Sequence, residues 1–228
     1  MDEFETDEVT EMPQGSATSP RWTGAASIAL AHHLNEQCVE LLCNLAATSS
    51  YQELPQFVLQ NRDLWRLLEP EACKHVAAFP FVIVDFRFKD VHWWREVTPS
   101  FSMSHADSTS ISDLALETLL FARQAAREDI NVARAMFAMS SPVATRIASL
   151  TLQQVRIIAL SGIQELRVRW DSNLEFWRDL LIACRSGDTQ RLAALRREAK
   201  LLFCGDYAQR RDYGGGYLCA SPRHPRGG

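Results

Sequence analysis

Lysine is almost missing from this chain of 228 residues: it stands only at Lys74, Lys89 and Lys200, and arginine supplies the rest of the 24 basic residues. That bias reads as genome composition more than chemistry. No apolar run approaches the roughly 20 residues that cross a membrane. The longest, near Phe79–Val84, is stopped by Asp85. No basic residue precedes Arg21, while Asp2, Glu3, Glu5, Asp7, Glu8 and Glu11 crowd the start. A secretory signal needs the opposite charge, so the expected compartment is the cytoplasm. The six cysteines, at 38, 43, 73, 184, 204 and 219, are irregularly spaced and form no Cys-x-x-Cys pair. This argues against a disulfide scaffold or a zinc ribbon and leaves small, buried apolar side chains.

The chemical signatures are lacking as well. There is no Gly-rich phosphate loop, no Gly-x-Ser-x-Gly elbow and no His-Glu-x-x-His. His32-His33 with Glu36 has no third ligand and reads as a solvated pair at a helix start. Cys73 and His75 are two apart, so on a helix they do not face each other. No enzyme, cofactor or metal is expected.

What is present is a globular balance: 46% apolar and 23% charged residues, with enough length for one ordinary domain or two small ones. A net charge of −4 argues against a general nucleic-acid coat but leaves room for a local basic face. Residues 1–24, acidic and then Ser/Thr/Gly/Pro-rich, read as a disordered leader. Residues 207–228, with Gly214-Gly215-Gly216 and a basic end, read as a flexible tail. Residues 99–110, rich in serine, read as a linker between modules at 25–98 and 111–206.

The two modules carry a divergent internal repeat. Leu68 through Ala77 aligns with Leu150 through Ala159, Arg87 with Arg169, and, one inserted residue later, Trp94-Arg95-Glu96 with Trp177-Arg178-Asp179. Each module begins with a helix, marked by Val39, Leu41, Leu42 and Leu45 or by Leu114, Leu119, Leu120 and Phe121. Shorter helices follow, with Asp63, Ser141 and Thr151 as N-cap candidates. Each then has one strand, Phe81–Phe88 or Ile163–Trp170. In the second, Leu166, Val168 and Trp170 alternate with Glu165, Arg167 and Arg169, the period of a strand with one wet face. Pro80 and Gly162 mark the break before each.

A lone strand leaves its backbone groups unpaired, so the two strands are expected to pair with each other. The predicted fold is mainly α: two tandem helical modules related by a pseudo-two-fold, joined across a small antiparallel ribbon. Trp93, Trp94, Trp170 and Trp177 are expected to pack between modules. A last helix, Asp188–Phe203, carries Leu192, Leu195, Ala199 and Leu202 on one face, with Gly205 as its C-cap.

Ile130–Phe137, a break at Ala138–Ser140, Ser141–Leu150 and a third helix at Leu152–Leu160 have the layout of a helix-turn-helix, in which one helix enters the major groove. Ala133 and Ala148 are small enough for close helix crossings. From Arg167 onward basic residues outnumber acidic ones, which aims that end at phosphates or gives it a solvated, paired face.

The second module resembles the bacterial flagellar regulator family FlhD. The resemblance rests on Leu119-Leu120-Phe121-Ala122-Arg123, Ala133-Arg134-Ala135-Met136-Phe137, Ala148-Ser149-Leu150-Thr151-Leu152-Gln153-Gln154 and Val168-Arg169-Trp170-Asp171-Ser172. It spans roughly residues 118–180; the first module is similar only through the repeat. The chain differs in length, about twice that of the family, and in having Val84 and Leu166 where the family can carry a strand cysteine. Met139-Ser140 follow the Met-Phe helix in place of the family's glycine.

The resemblance implies a mainly helical cytoplasmic subunit of a transcription activator, acting on promoter DNA with a zinc-containing FlhC-like partner. It also implies a single chain that mimics the FlhD dimer as a monomer, or else a homo-oligomer. Arg185, Arg191, Arg196 and Arg197 are the expected DNA contacts, and Gln153, Arg156 and Trp177 the expected partner surface. The alternative is an adaptor or antagonist of an FlhC-like regulator that does not touch DNA.

Overall fold

The computed structural model describes residues 24–50, 54–97 and 110–208. The expected leader, linker and tail therefore lie outside the described residues, apart from their edges at Gly24, Ser110 and 207–208. The first long helix, α1 (Gly24–Thr48), is followed by α2 (Gln56–Gln60), α3 (Arg62–Arg66), α4 (Pro70–Ala77), β1 (Val84–Asp85) and α5 (Val91–Glu96). The second long helix, α6 (Ser110–Glu128), is followed by α7 (Ile130–Phe137), α8 (Ser141–Ser149) and α9 (Leu152–Ser161). A 3-10 turn (Ile163–Glu165) then leads to β2 (Arg167–Val168), α10 (Leu174–Ser186) and α11 (Thr189–Ala208). Among the described residues the molecule is mainly helical with one two-stranded antiparallel sheet, as the composition and periodicity predict. No described helix is long and apolar enough to cross a membrane.

Each helix follows from local sequence. In α1 the buried positions are Ala31, Leu34, Asn35, Cys38, Val39, Leu42 and Ala46, a three-and-four spacing that forms one stripe. Pro70 opens α4 in the first turn, where its missing N–H costs nothing. Thr151 caps α9 in a reciprocal box: its hydroxyl accepts from Gln154 N (3.1 Å) while Gln154 Oε1 accepts from Thr151 N (2.8 Å). The other two N-cap expectations shift. Ser140, not Ser141, stands at the N-cap position of α8, though its hydroxyl makes no capping bond, and Asp63 lies inside α3, whose N-cap position is Asn61. Ala138 ends α7 in the left-handed region, at φ 48°, so the helix–turn–helix layout persists with alanine in a conformation that favours glycine. Gly187, at φ 67°, ends α10. Gly205 is no C-cap, because α11 continues through it to Ala208.

The strands are much shorter than their hydrophobic runs. Val84 pairs with Val168 and Asp85 with Arg167, and Arg169 N donates to Ile83 O at 2.8 Å. The expected Phe81–Phe88 and Ile163–Trp170 strands stop because the backbone turns left-handed at Arg87 (φ 49°) and Trp170 (φ 56°). On the other side, Ile163–Glu165 coils into the 3-10 turn. The wet face predicted for the second strand does not exist: Arg167 and Arg169 are each 4% exposed. The ribbon is enclosed on both sides, by Phe81, Ile83, Phe86 and Phe88 among others.

Asn35 pins the approach to β1. Its amide donates to Ala77 O (3.1 Å) and Phe81 O (2.9 Å), and its oxygen accepts from Ile83 N (2.9 Å). A fully buried amide with three bonds is satisfied, and it holds loop backbone that would otherwise be orphaned.

One local device is built twice. Trp94 Nε1 donates to Arg87 O (3.0 Å) and Trp177 Nε1 to Trp170 O (3.1 Å), seven residues back in both cases. Both acceptor residues have positive φ. Asp90 and Asn173 then cap the next helices through the N–H groups of Trp93 and Phe176. These bonds align Arg87 with Trp170, not with Arg169, so the one-residue insertion falls before the strand. The helix ahead of it is two residues longer in the second half, ten in α9 against eight in α4, and the connection from it to the strand is one residue shorter.

The two halves interlock. Helix α10 packs on α2, α3 and α4, while α5 packs on α8. The Trp177 ring lies 5.6 Å from Phe57 and 5.9 Å from Trp65. Phe88 meets Phe137 at 5.1 Å, and Val82 N donates to Met136 O at 3.0 Å. Gly162 is pressed against the other half: a Cβ there would sit 2.9 Å from Phe86 Cζ and 2.9 Å from Ile158 O.

Arg169 holds this junction. Its Nε donates to Val82 O (2.9 Å) and an Nη to Phe137 O (2.5 Å), with Asp85 Oδ1 at 3.5 Å. Replacing it by methionine removes one of the two buried arginines beside Asp85 and leaves Val82 O and Phe137 O without their donor. In urea unfolding Arg169→Met is expected to cost about 3–5 kcal/mol, with part recovered when Asp85→Leu is added. A loss below about 1 kcal/mol would show that the pair does not hold the junction.

Candidate functional site

Three surfaces carry the residues singled out from sequence. The first is the α10–α11 end. Asn173 starts α10, and its apolar stripe of Phe176, Trp177, Leu180, Leu181 and Cys184 faces inward. Asp188 starts α11 by accepting from Arg191 N at 2.9 Å. Leu192, Leu195, Ala199 and Phe203 fix its inner face, and Leu202 packs at the edge.

The four arginines do not form one patch. Arg185 is exposed at the end of α10 and Arg197 is exposed on α11. Arg191 is exposed but ion-paired with Asp179 at 2.6 Å. Arg196 turns inward onto α4: an Nη reaches His75 O at 3.4 Å, and its Nε is buried with no hydrogen-bond partner. Six residues along a helix also put Arg191 and Arg197 about 120° apart. The exposed neighbour of Arg197 one turn on is Lys200.

The second surface is the outer side of α9. Gln153 and Arg156 are exposed there, three residues apart and therefore on one face, beside Leu152, which is 61% exposed. Trp177 does not belong with them. It is fully buried, its indole N–H already bonded and its ring against Phe57 and Trp65, so it is a core residue. The reason is its phase: it falls on the inward stripe of α10 together with Leu180, Leu181 and Cys184.

The third surface is a pair of grooves where the halves cross. One, about 650 Å³, lies between α2–α3 and α10 and includes Leu59, Leu64, Leu174, Arg178 and Ile182. The other, about 240 Å³, lies between α5 and α8 and is lined by Val91, Trp94, Arg95, Pro142, Val143 and Arg146. Each includes an arginine from the crossing helix, Arg178 in the larger and Arg95 in the smaller. Among the described residues no group of three His, Cys, Asp or Glu side chains is arranged to hold a metal. His33 instead meets Gln37 one turn on, at 3.4 Å.

Sequence reading missed the charge cluster around the ribbon. Asp85, Arg167, Arg169 and Asp171 lie in or beside the enclosed strands. Asp171 is pushed up to about 6, first by burial and also by the nearby Asp85 carboxylate; Arg167 and the Ser172 backbone N–H pull the other way. The alternation of charged and apolar residues that signalled a wet face was the same signal that marks a buried ion cluster. Only the enclosing aromatics tell the two apart.

No protein-family model, curated protein or solved structure matches this chain.

Asp171 ionises at its ordinary 3.8 once the chain unfolds. Its folded value is higher, so it makes the folded state progressively less stable as pH rises from about 4 to about 6, and by a constant amount above that. The total is about 3 kcal/mol. Asp171→Asn is therefore expected to be more stable relative to wild type at pH 7 than at pH 4.5. Urea midpoints at the two values check this, and an unchanged difference would contradict it.

Proposed function

We propose that this chain is the FlhD-like subunit of a bacterial transcription activator that acts on promoter DNA with an FlhC-like partner. In this reading its two segments are tandem modules related by a pseudo-two-fold through the ribbon, and together stand in for a homodimer within one chain. The observation that carries the reading is the twice-built turn, Arg87 with Trp94 and Trp170 with Trp177, combined with the reciprocal packing of α5 and α10 on the opposite halves. Two copies of one module exchanging their last helices across paired strands would have this arrangement.

The exposed Gln153 and Arg156, with Leu152, supply the partner-facing surface. Arg185, Arg197 and Lys200 supply cations free to meet phosphate. A second reading, an adaptor that engages an FlhC-like regulator without touching DNA, is favoured by the −4 net charge and by the pairing of Arg191 with Asp179.

Affinity purification from the native cells tests the partner, and light scattering of the isolated chain tests the stoichiometry. The expected results are a stoichiometric FlhC-like zinc protein and a monomeric mass for the chain alone. The complex should then bind a promoter fragment with a steep salt dependence. The double change Arg185→Ala and Arg197→Ala should lower the slope of log affinity against log salt by about two. An unchanged slope with the partner still bound would favour the adaptor. The absence of such a partner would sink both readings.

A further inference from the structure

Cys43 on α1 and Cys73 on α4 face each other with their Sγ atoms 3.9 Å apart. That is the contact distance of two thiols; a disulfide bond is about 2.05 Å long. The two helices are already packed together, and both thiols are partly exposed, unlike Cys38 and Cys184, which are buried. The residues are 30 positions apart in sequence, so a bond between them would close a substantial loop within the first half. The pair sits close to the interlock: Cys73 acts electrostatically on Cys184 of α10, the helix that crosses from the second half.

We propose that Cys43 and Cys73 form a reversible disulfide on reaction with a hydroperoxide, Cys73 as the attacking thiol and Cys43 as the resolving one. The Cys73 thiolate attacks the outer oxygen of the hydroperoxide and the O–O bond breaks. The products are a sulfenic acid on Cys73 and an alcohol, which takes up the thiol proton. Cys43 Sγ then attacks the Cys73 sulfur, the S–O bond breaks, and the departing oxygen leaves as water with the Cys43 proton. Two thiols lose two electrons, and the hydroperoxide gains them.

The roles follow from access to the two thiols. Burial raises both, and Glu40 adds to the rise in each. Cys43 is pushed up to about 12, and its contact with Cys73 adds to that shift. Cys73 is the less enclosed thiol, so it is the one a hydroperoxide reaches, and its thiolate is the nucleophile.

The full chain, treated with tert-butyl hydroperoxide and digested without reduction, is expected to yield a peptide linking Cys43 to Cys73. That peptide should vanish with dithiothreitol, and the thermal midpoint should rise by about 5 °C on oxidation. Cys43→Ser should leave a sulfenic acid on Cys73 that a dimedone probe labels, while Cys73→Ser should leave Cys43 unlabelled. A link from Cys73 to Cys184 in its place, or both thiols still free after treatment, would overturn the pairing. A label on Cys43 in the Cys73→Ser protein would overturn the roles. Because peptide mapping uses the unaltered chain, a variant that fails to fold does not affect the test of the pair.

Discussion

Arg169 is a full positive charge at 4% exposure, and the elements around the ribbon meet where they can solvate it. Desolvating a guanidinium costs several kcal/mol unless its donors are occupied and its charge is countered. The countercharge comes from Asp85 on β1, and the acceptors are Val82 O, just before that strand, and Phe137 O, at the end of α7. Phe137 ends its helix, so its carbonyl has no partner within the helix and sits at the negative end of the helix dipole. The Phe203 ring of α11 covers the guanidinium from 5.3 Å. One side chain thereby ties together the approach to β1, the helix–turn–helix segment and the last helix. Those three elements are far apart in the chain.

The interlock follows from the same economy. Neither half closes its own core. Helices α2–α4 are covered by α10 from the second half, and α8 is met by α5 from the first. Trp177 completes an aromatic cluster with Phe57 and Trp65 that a single half does not contain. Such exchange couples the two halves, because loosening one helix uncovers apolar surface on the other half. It also leaves two grooves, one at each crossing, with Arg178 in the larger and Arg95 in the smaller.

Much of this was legible in the residues. The long helices follow from their apolar spacing, the start of α9 from Thr151 as its N-cap, and the break after α7 falls at Ala138–Ser140 as expected. The pairing of the two strands followed from the rule that backbone groups must find partners. The surface expectations were less secure, since an arginine on an exposed-looking helix has several fates. Arg185 and Arg197 stayed exposed at the surface, Arg191 took Asp179, and Arg196 folded inward onto α4. Trp177 was misassigned because a tryptophan after a strand reads equally as an anchor for a partner and as core; its phase on α10, with Leu180, Leu181 and Cys184, decides for the core.

Local sequence, through period, caps and turn residues, determined the class of fold and the order of the helices, because those depend on neighbours within a few positions; the ribbon followed from the need of two lone strands for backbone partners. Tertiary structure alone decided how short the strands are, which arginines are buried, which half each terminal helix covers, and that Cys43 meets Cys73. Each of these depends on what encloses a segment from elsewhere in the chain. Arg167 and Arg169 show why: a strand alternating charge with apolar residues has the same pattern whether its charged side faces water or a buried carboxylate.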